Sequence, residues 1–167
     1  MPRIKASPTL RASLNAFLLL LSLLPASVCS GQNGTANGST MVYGTWILKS
    51  IYPTQNVEGP SRAQQKKLLG TTVVLNASAL EACGQSVPVK TVEVNQVSSA
   101  DFLENNRVRF SEVGVEGASI TEIVINHRQS GTCFDAFPLP GQDIYVKNKK
   151  EILVYFEGVF YRALRKH

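Results

Sequence analysis

The stretch that most restricts the fold is residues 151–164, where two strand-like runs, EILVYF and VFYRAL, flank the dipeptide Glu157-Gly158. A two-residue connection predicts a tight hairpin in which Phe156 opposes Val159, Val154 opposes Tyr161 and Leu153 opposes Arg162. Side chains alternate across a strand, so Ile152, Val154, Phe156, Val159, Tyr161 and Ala163 share one face, and Leu153, Tyr155, Phe160 and Leu164 share the other. Both faces are largely apolar, which does not suit an antiparallel sheet with one side in water. This hairpin needs a core on one side and a cover on the other, either a helix packed outside the sheet or a partner surface.

Further strands are predicted upstream. Residues 43–52 alternate Trp46 and Leu48 against Thr45, Ile47 and Lys49 and stop at Pro53. Residues 71–76, 79–83, 89–97, 107–113, 119–127 and 143–147 are the other candidates. Two short helices interrupt them: residues 61–69, with Ser61 as N-cap and Gly70 as the stop, and residues 98–105, capped by Ser98 or Ser99. Many short strands with hairpin turns predict a mainly β fold, a sandwich or a closed up-and-down barrel of about eight strands.

The first thirty residues set the compartment. Arg3, Lys5 and Arg11 precede an apolar run over 16–24 and then Pro25-Ala26-Ser27-Val28-Cys29-Ser30, the layout of a secretory signal peptide. The run is shorter than the roughly 20 residues a helix needs to cross a bilayer, so it reads as a removed leader and not an anchor. Cleavage after Ser30 removes Cys29; lipidation of Cys29 is the competing reading, and it would anchor the chain to a membrane. The expected location is the periplasm or the secreted medium. There Cys83 and Cys133 form an even pair, and a single disulfide is the expected outcome.

Removing 30 leader residues from 167 leaves 137, enough for one domain with one core. The leader takes three of the 17 basic residues and none of the 12 acidic ones, so the mature balance is 14 against 12, or +2. A nearly neutral chain with scattered cations gives no footprint for nucleic acid. Residues 31–41, rich in Gly, Asn, Ser and Thr, read as a flexible spacer, with the barrel domain spanning 42–167. The sequons at Asn33, Asn37 and Asn76 are glycan acceptors in a eukaryotic secreted protein and carry no meaning in a bacterial one.

Gly44-Thr45-Trp46 at the head of the first strand resembles the G-x-W signature of lipocalins and related calycin barrels. Arg162 is placed like the arginine that packs across that tryptophan, and the long connection 53–70 is similar to the lid loop of that superfamily. The resemblance implies a barrel whose one end is closed by Gly44, Trp46 and Arg162, with cation–π attraction between guanidinium and indole. It also implies a carrier of a small hydrophobic ligand. Against a cavity stand Phe102, Phe110, Phe156 and Phe160, large enough to fill a small barrel.

Catalytic patterns are weak. The two histidines are His127, beside a turn with Arg128 and Ser130, and the terminal His167; neither a nucleophile elbow nor a phosphate loop accompanies them. One internal histidine and a disulfide pair do not make a typical zinc set. The chain is therefore expected to be non-enzymatic and free of cofactors, working by binding. A protein partner is preferred, in the manner of an inhibitor or immunity factor, with a small hydrophobic ligand as the alternative. The predicted contact loops are 52–60 and 130–141; in the second, Phe134, Asp135, Phe137 and Leu139 lie on a backbone stiffened by Pro138 and Pro140 and tethered at Cys133. The opposing expectation is that both rings turn inward and plug the barrel.

Overall fold

The computed structural model describes residues 38–53, 59–127, 131–134 and 137–167, without the side chain of Phe134. The predicted leader with Cys29, the sequons at Asn33 and Asn37, most of the 52–60 loop, and Arg128, Ser130 and Asp135 lie outside the described residues. Among the described residues there are ten strands: β1 (Gly44–Ile51), β2 (Thr72–Leu75), β3 (Ala79–Ala82), β4 (Gln85–Ser98), β5 (Ser119–His127), β6 (Thr132–Phe134), β7 (Phe137–Pro138), β8 (Asp143–Val146), β9 (Glu151–Phe156) and β10 (Val159–Arg165). Helix α1 (Arg62–Lys67) follows β1, and α2 (Ser99–Asn106) follows β4.

Eight of these strands close an antiparallel up-and-down barrel. Each pairs with its successor, β5 pairs with β8, and β10 returns to β1, with Trp46 opposite Arg165 and Leu48 opposite Ala163. Strands β6 and β7 form a separate two-stranded hairpin inside the β5–β8 connection. The predicted C-terminal register holds at every pair, Phe156 with Val159, Val154 with Tyr161 and Leu153 with Arg162. Its turn works because Glu157 and Gly158 both take positive φ, 48° and 81°, matching the twist of the strands they join.

The two apolar faces of this hairpin serve two cores. Inside the barrel, Trp46, Leu48, Val73, Leu80, Ile123, Ile144, Val154 and Tyr161 are fully buried. Outside, α2 and the chain after it cover β8, β9 and β10: Phe102 lies 4.9 Å from Phe110, 5.0 Å from Tyr145 and 5.4 Å from Phe160 between ring centroids. A helix thus supplies the outer cover. Helix α2 starts as expected, with Ser98 accepting from the Asp101 amide, and ends where Arg107 adopts φ 57°.

Two local predictions are corrected. Residues 107–113 are not a strand; a 3-10 turn at Phe110–Val113 follows the left-handed Arg107, and it packs Phe110 and Val113 into the outer core. The domain also begins before Val42. Ser39 is buried, and Thr40–Val42 forms a 3-10 turn against the end of the barrel, so residues 38–41 belong to the fold and not to a spacer. Helix α1 matches its signals, with a capping box between Ser61 and Gln64.

Candidate functional site

The end of the barrel where β1 begins is shut by a small lock. Trp46 is fully buried and its Nε1–H donates to the Val42 carbonyl at 2.6 Å. The guanidinium over its ring belongs to Arg165, at 4.2 Å from the centroid, and not to the predicted Arg162. Arg165 also donates from Nη1 to the Tyr43 carbonyl at 2.7 Å, from Nη2 to Met41 at 2.6 Å and from Nε to Lys149 at 2.8 Å. Gly44, at φ 130°, is needed here: a Cβ would sit 2.6 Å from Nη1 of Arg165. Arg162 faces the other way because it alternates with Tyr161 and Ala163, which point inward. Its Nη2 donates to Glu151 at 2.8 Å, and Lys147 holds the other oxygen of the same carboxylate at 2.8 Å.

The opposite end collects the loops that join β1 to β2, β3 to β4, β5 to β8 and β9 to β10. Leu68, just after α1, is buried in the interior core, and the Tyr161 hydroxyl donates from inside the barrel to the Gln65 carbonyl at 3.4 Å. Leu139, Pro140 and Gly141 are also buried at this end. Gly141, at φ 102°, runs so close to the inner wall that a Cβ would lie 2.8 Å from Val73 Cγ1 and 3.2 Å from Leu80 Cδ1.

Of the four predicted contact residues, two are turned to packing. Leu139 is 1% exposed and part of the interior core, which corrects its assignment as a contact. Phe137 is half-buried and tilts against Phe156 at 6.2 Å between centroids. Phe134 extends β6, with its side chain outside the described residues, as is Asp135. The hairpin is held from the side as well as from below. Cys133 is bonded to Cys83 in the β3–β4 turn. Gln85 clamps Thr132 by donating to its carbonyl at 2.7 Å and accepting from its amide at 3.0 Å.

Beside this plug lies a cleft of about 400 Å³ lined by Gly59, Pro138, Gln142, Asp143, Tyr155 and Glu157, among others. Burial, then the negative charges of Glu122 and Glu157, hold the Asp143 carboxyl above its ordinary value. Burial and the same acidic surroundings, Asp143 and Glu157, raise the Tyr155 hydroxyl. A carboxylate that is short of positive charge beside an aromatic wall suits a cation better than an anion. The sequence reasoning missed this cleft, since Asp143, Tyr155 and Glu157 come together only when β8 and β9 pair.

His127 ends β5 opposite Val89, and Ser130 of the weighed Ser-His pair lies outside the described residues. Among the described residues, no group of three or more His, Cys, Asp or Glu side chains is arranged to hold a metal ion. No described helix is long and apolar enough to cross a membrane. No protein-family model, curated protein or solved structure matches the chain.

Proposed function

We propose that this chain is an exported, non-catalytic binding protein whose target is another protein, docked at the plugged end of the barrel in the manner of an inhibitor or immunity factor. The observation that carries this reading is the occupied mouth: Leu68 and Leu139 lie in the interior core with Trp46 and Tyr161, and a ligand would have to displace them. The disulfide between Cys83 and Cys133 fits an oxidising compartment. A hairpin held by that bond and by the Gln85 clamp loses little entropy on docking. In this reading the cleft at Asp143, Tyr155 and Glu157 receives a lysine or arginine side chain of the partner, relieving the crowding of negative charge.

A second reading has its own support. The up-and-down closure and Trp46 beneath Arg165 are similar to the lipocalin arrangement, and that resemblance implies a carrier of a small hydrophobic ligand. Native mass spectrometry of the protein purified gently from its own host separates the two. A stoichiometric second polypeptide, lost on Asp143→Asn substitution, supports the protein-binding reading; a retained adduct of a few hundred daltons overturns it in favour of the carrier.

A further inference from the structure

Cations that are scattered along the chain are gathered by the fold on one side of the barrel. The β8–β9 turn lies at the end where β1 begins, because the Arg165 amide, opposite Trp46 in register, donates to the Lys150 carbonyl at 3.0 Å. Lys166 follows, its amide donating to the Thr45 carbonyl of β1 at 2.8 Å. Lys149 and Lys150 in the turn, Lys166, and Lys49 at the bulge of β1 are all exposed. No carboxylate among the described residues pairs with any of the four.

The outer surface of β1 and β10 beside these lysines is apolar. Trp46, Leu48 and Ala163 point inward, so Ile47 and Leu164, which oppose each other across the two strands, point outward. Both are half-exposed, and neither belongs to the interior or the outer core. Next to Leu164 lies an open hollow of about 460 Å³ walled by Lys150, Arg162 and Arg165. The side-chain carboxylate in it, Glu151, is already held by Lys147 and Arg162. Arg162 spends one Nη on Glu151 and stays 40% exposed, with further N–H groups for an anion. Glu81, the acid further round the barrel, is on β3, beyond β2.

We propose that this face binds the surface of an anionic phospholipid bilayer, with Ile47 and Leu164 against the headgroup region and lipid phosphates on the surrounding cations. The residue types favour a membrane over an acidic protein. Protein interfaces are anchored by aromatic side chains and arginine and are depleted of lysine. Lysines around a few aliphatic side chains suit an anionic leaflet, which attracts each basic residue near its surface. The lysines of the β8–β9 turn and Lys166 sit at the end away from the plug, so a docked membrane leaves the plugged end open. The inference does not depend on the identity of any protein partner.

The test is flotation of the protein, purified from its own host, with vesicles of phosphatidylglycerol or of phosphatidylcholine. Binding to the phosphatidylglycerol vesicles alone is expected, and it weakens as added salt screens the charges. Each lysine near an anionic leaflet is worth about fivefold in partitioning, so Lys166→Gln lowers binding about fivefold and Lys149→Gln with Lys150→Gln about 25-fold. Lys90→Gln removes the same charge from β4, beyond β2 and β3, and is expected to leave partitioning nearly unchanged. Thermal unfolding of each variant checks that the barrel stays folded. A protein that stays off phosphatidylglycerol vesicles overturns the inference. Equal binding to phosphatidylcholine overturns it too, since an apolar segment and not this face then holds the membrane. A loss with Lys90→Gln equal to that with Lys166→Gln does the same, because total charge is then what acts. Retention on immobilised polyglutamate without vesicle binding overturns it in favour of an acidic protein.

Discussion

Arg165 lies over the indole of Trp46, 4.2 Å from the ring centroid, and binds the carbonyls of Tyr43, Met41 and Lys149. One side chain therefore ties the chain entering the barrel to the last strand and to the β8–β9 turn. Charge-assisted bonds to carbonyls exceed neutral ones, and the cation–π contact adds to them. Arg165→Ala is expected to destabilise the fold by about 2 to 4 kcal/mol. Arg162→Ala removes a partly exposed ion pair and is expected to cost about 1 kcal/mol or less. Urea unfolding of both variants checks the order, and the reverse order would move the lock to Arg162.

Trp46→Ala truncates a fully buried side chain and is expected to cost about 3 to 5 kcal/mol. Trp46 is the only tryptophan, so the variant is best followed by circular dichroism. Retention of full stability would show that the indole does not support this end of the barrel.

The hairpin of β9 and β10 was legible in the sequence down to individual pairs, because a two-residue turn sets register and alternation sets faces. The same alternation excludes Arg162 from the lock: Tyr161 and Ala163 face inward, so Arg165 shares their side and Arg162 does not. The G-x-W resemblance implied Arg162, against that parity, while the register sets Arg165 opposite Trp46. Residues 107–113 alternate like a strand, but Arg107 turns left-handed at the end of α2 and diverts the run into the outer core. A plug from the 130–141 loop was one of two expectations, with the Phe134 and Phe137 rings as its agents; that Leu139 joins the interior core was not legible, since nothing local distinguishes an exposed Leu139 from a buried one. The cleft is likewise a product of strand pairing, which brings Asp143 opposite Tyr155.

The Glu151 carboxyl is held below its ordinary value, chiefly by the hydrogen bond from Arg162, with Lys147 adding to it. A depressed acid stabilises the fold above its unfolded pKa and loses that contribution as pH falls through the folded value. Glu151→Gln is therefore expected to lower stability by about 1 kcal/mol at neutral pH, and by less as the solution is acidified through the carboxylate range. Thermal midpoints measured across that range check the trend; a constant difference would contradict it.

Asp143 has the opposite sign. Its folded pKa is raised, so the folded state holds its proton more tightly and stability declines as pH rises from the unfolded value, about 3.9, through the folded one. Asp143→Asn is expected to raise the thermal midpoint at neutral pH, with the gain vanishing in acid. A destabilised variant at neutral pH would mean that the carboxylate has a structural role in the cleft.

Cys83 and Cys133 stand 50 residues apart in sequence, and on the chain-entropy model their bond is worth about 4 kcal/mol. The double Cys→Ala variant is expected to lose about 2 to 4 kcal/mol in chemical unfolding. Hydrogen exchange is expected to rise first in β6 and β7, which the bond holds to the β3–β4 turn. Unchanged exchange there would show that Leu139 and the Gln85 clamp suffice to seat the hairpin.

The claim that organises the function is that the barrel is filled by its own side chains and offers its plugged end to a protein. Titration of the intact protein with an apolar fluorescent probe, such as an anilinonaphthalene sulfonate or a dansylated fatty acid, tests it most directly. The account predicts no saturable binding at one site. One-to-one binding with micromolar affinity or better, quenching Trp46 as it proceeds, would contradict it and establish a hollow carrier.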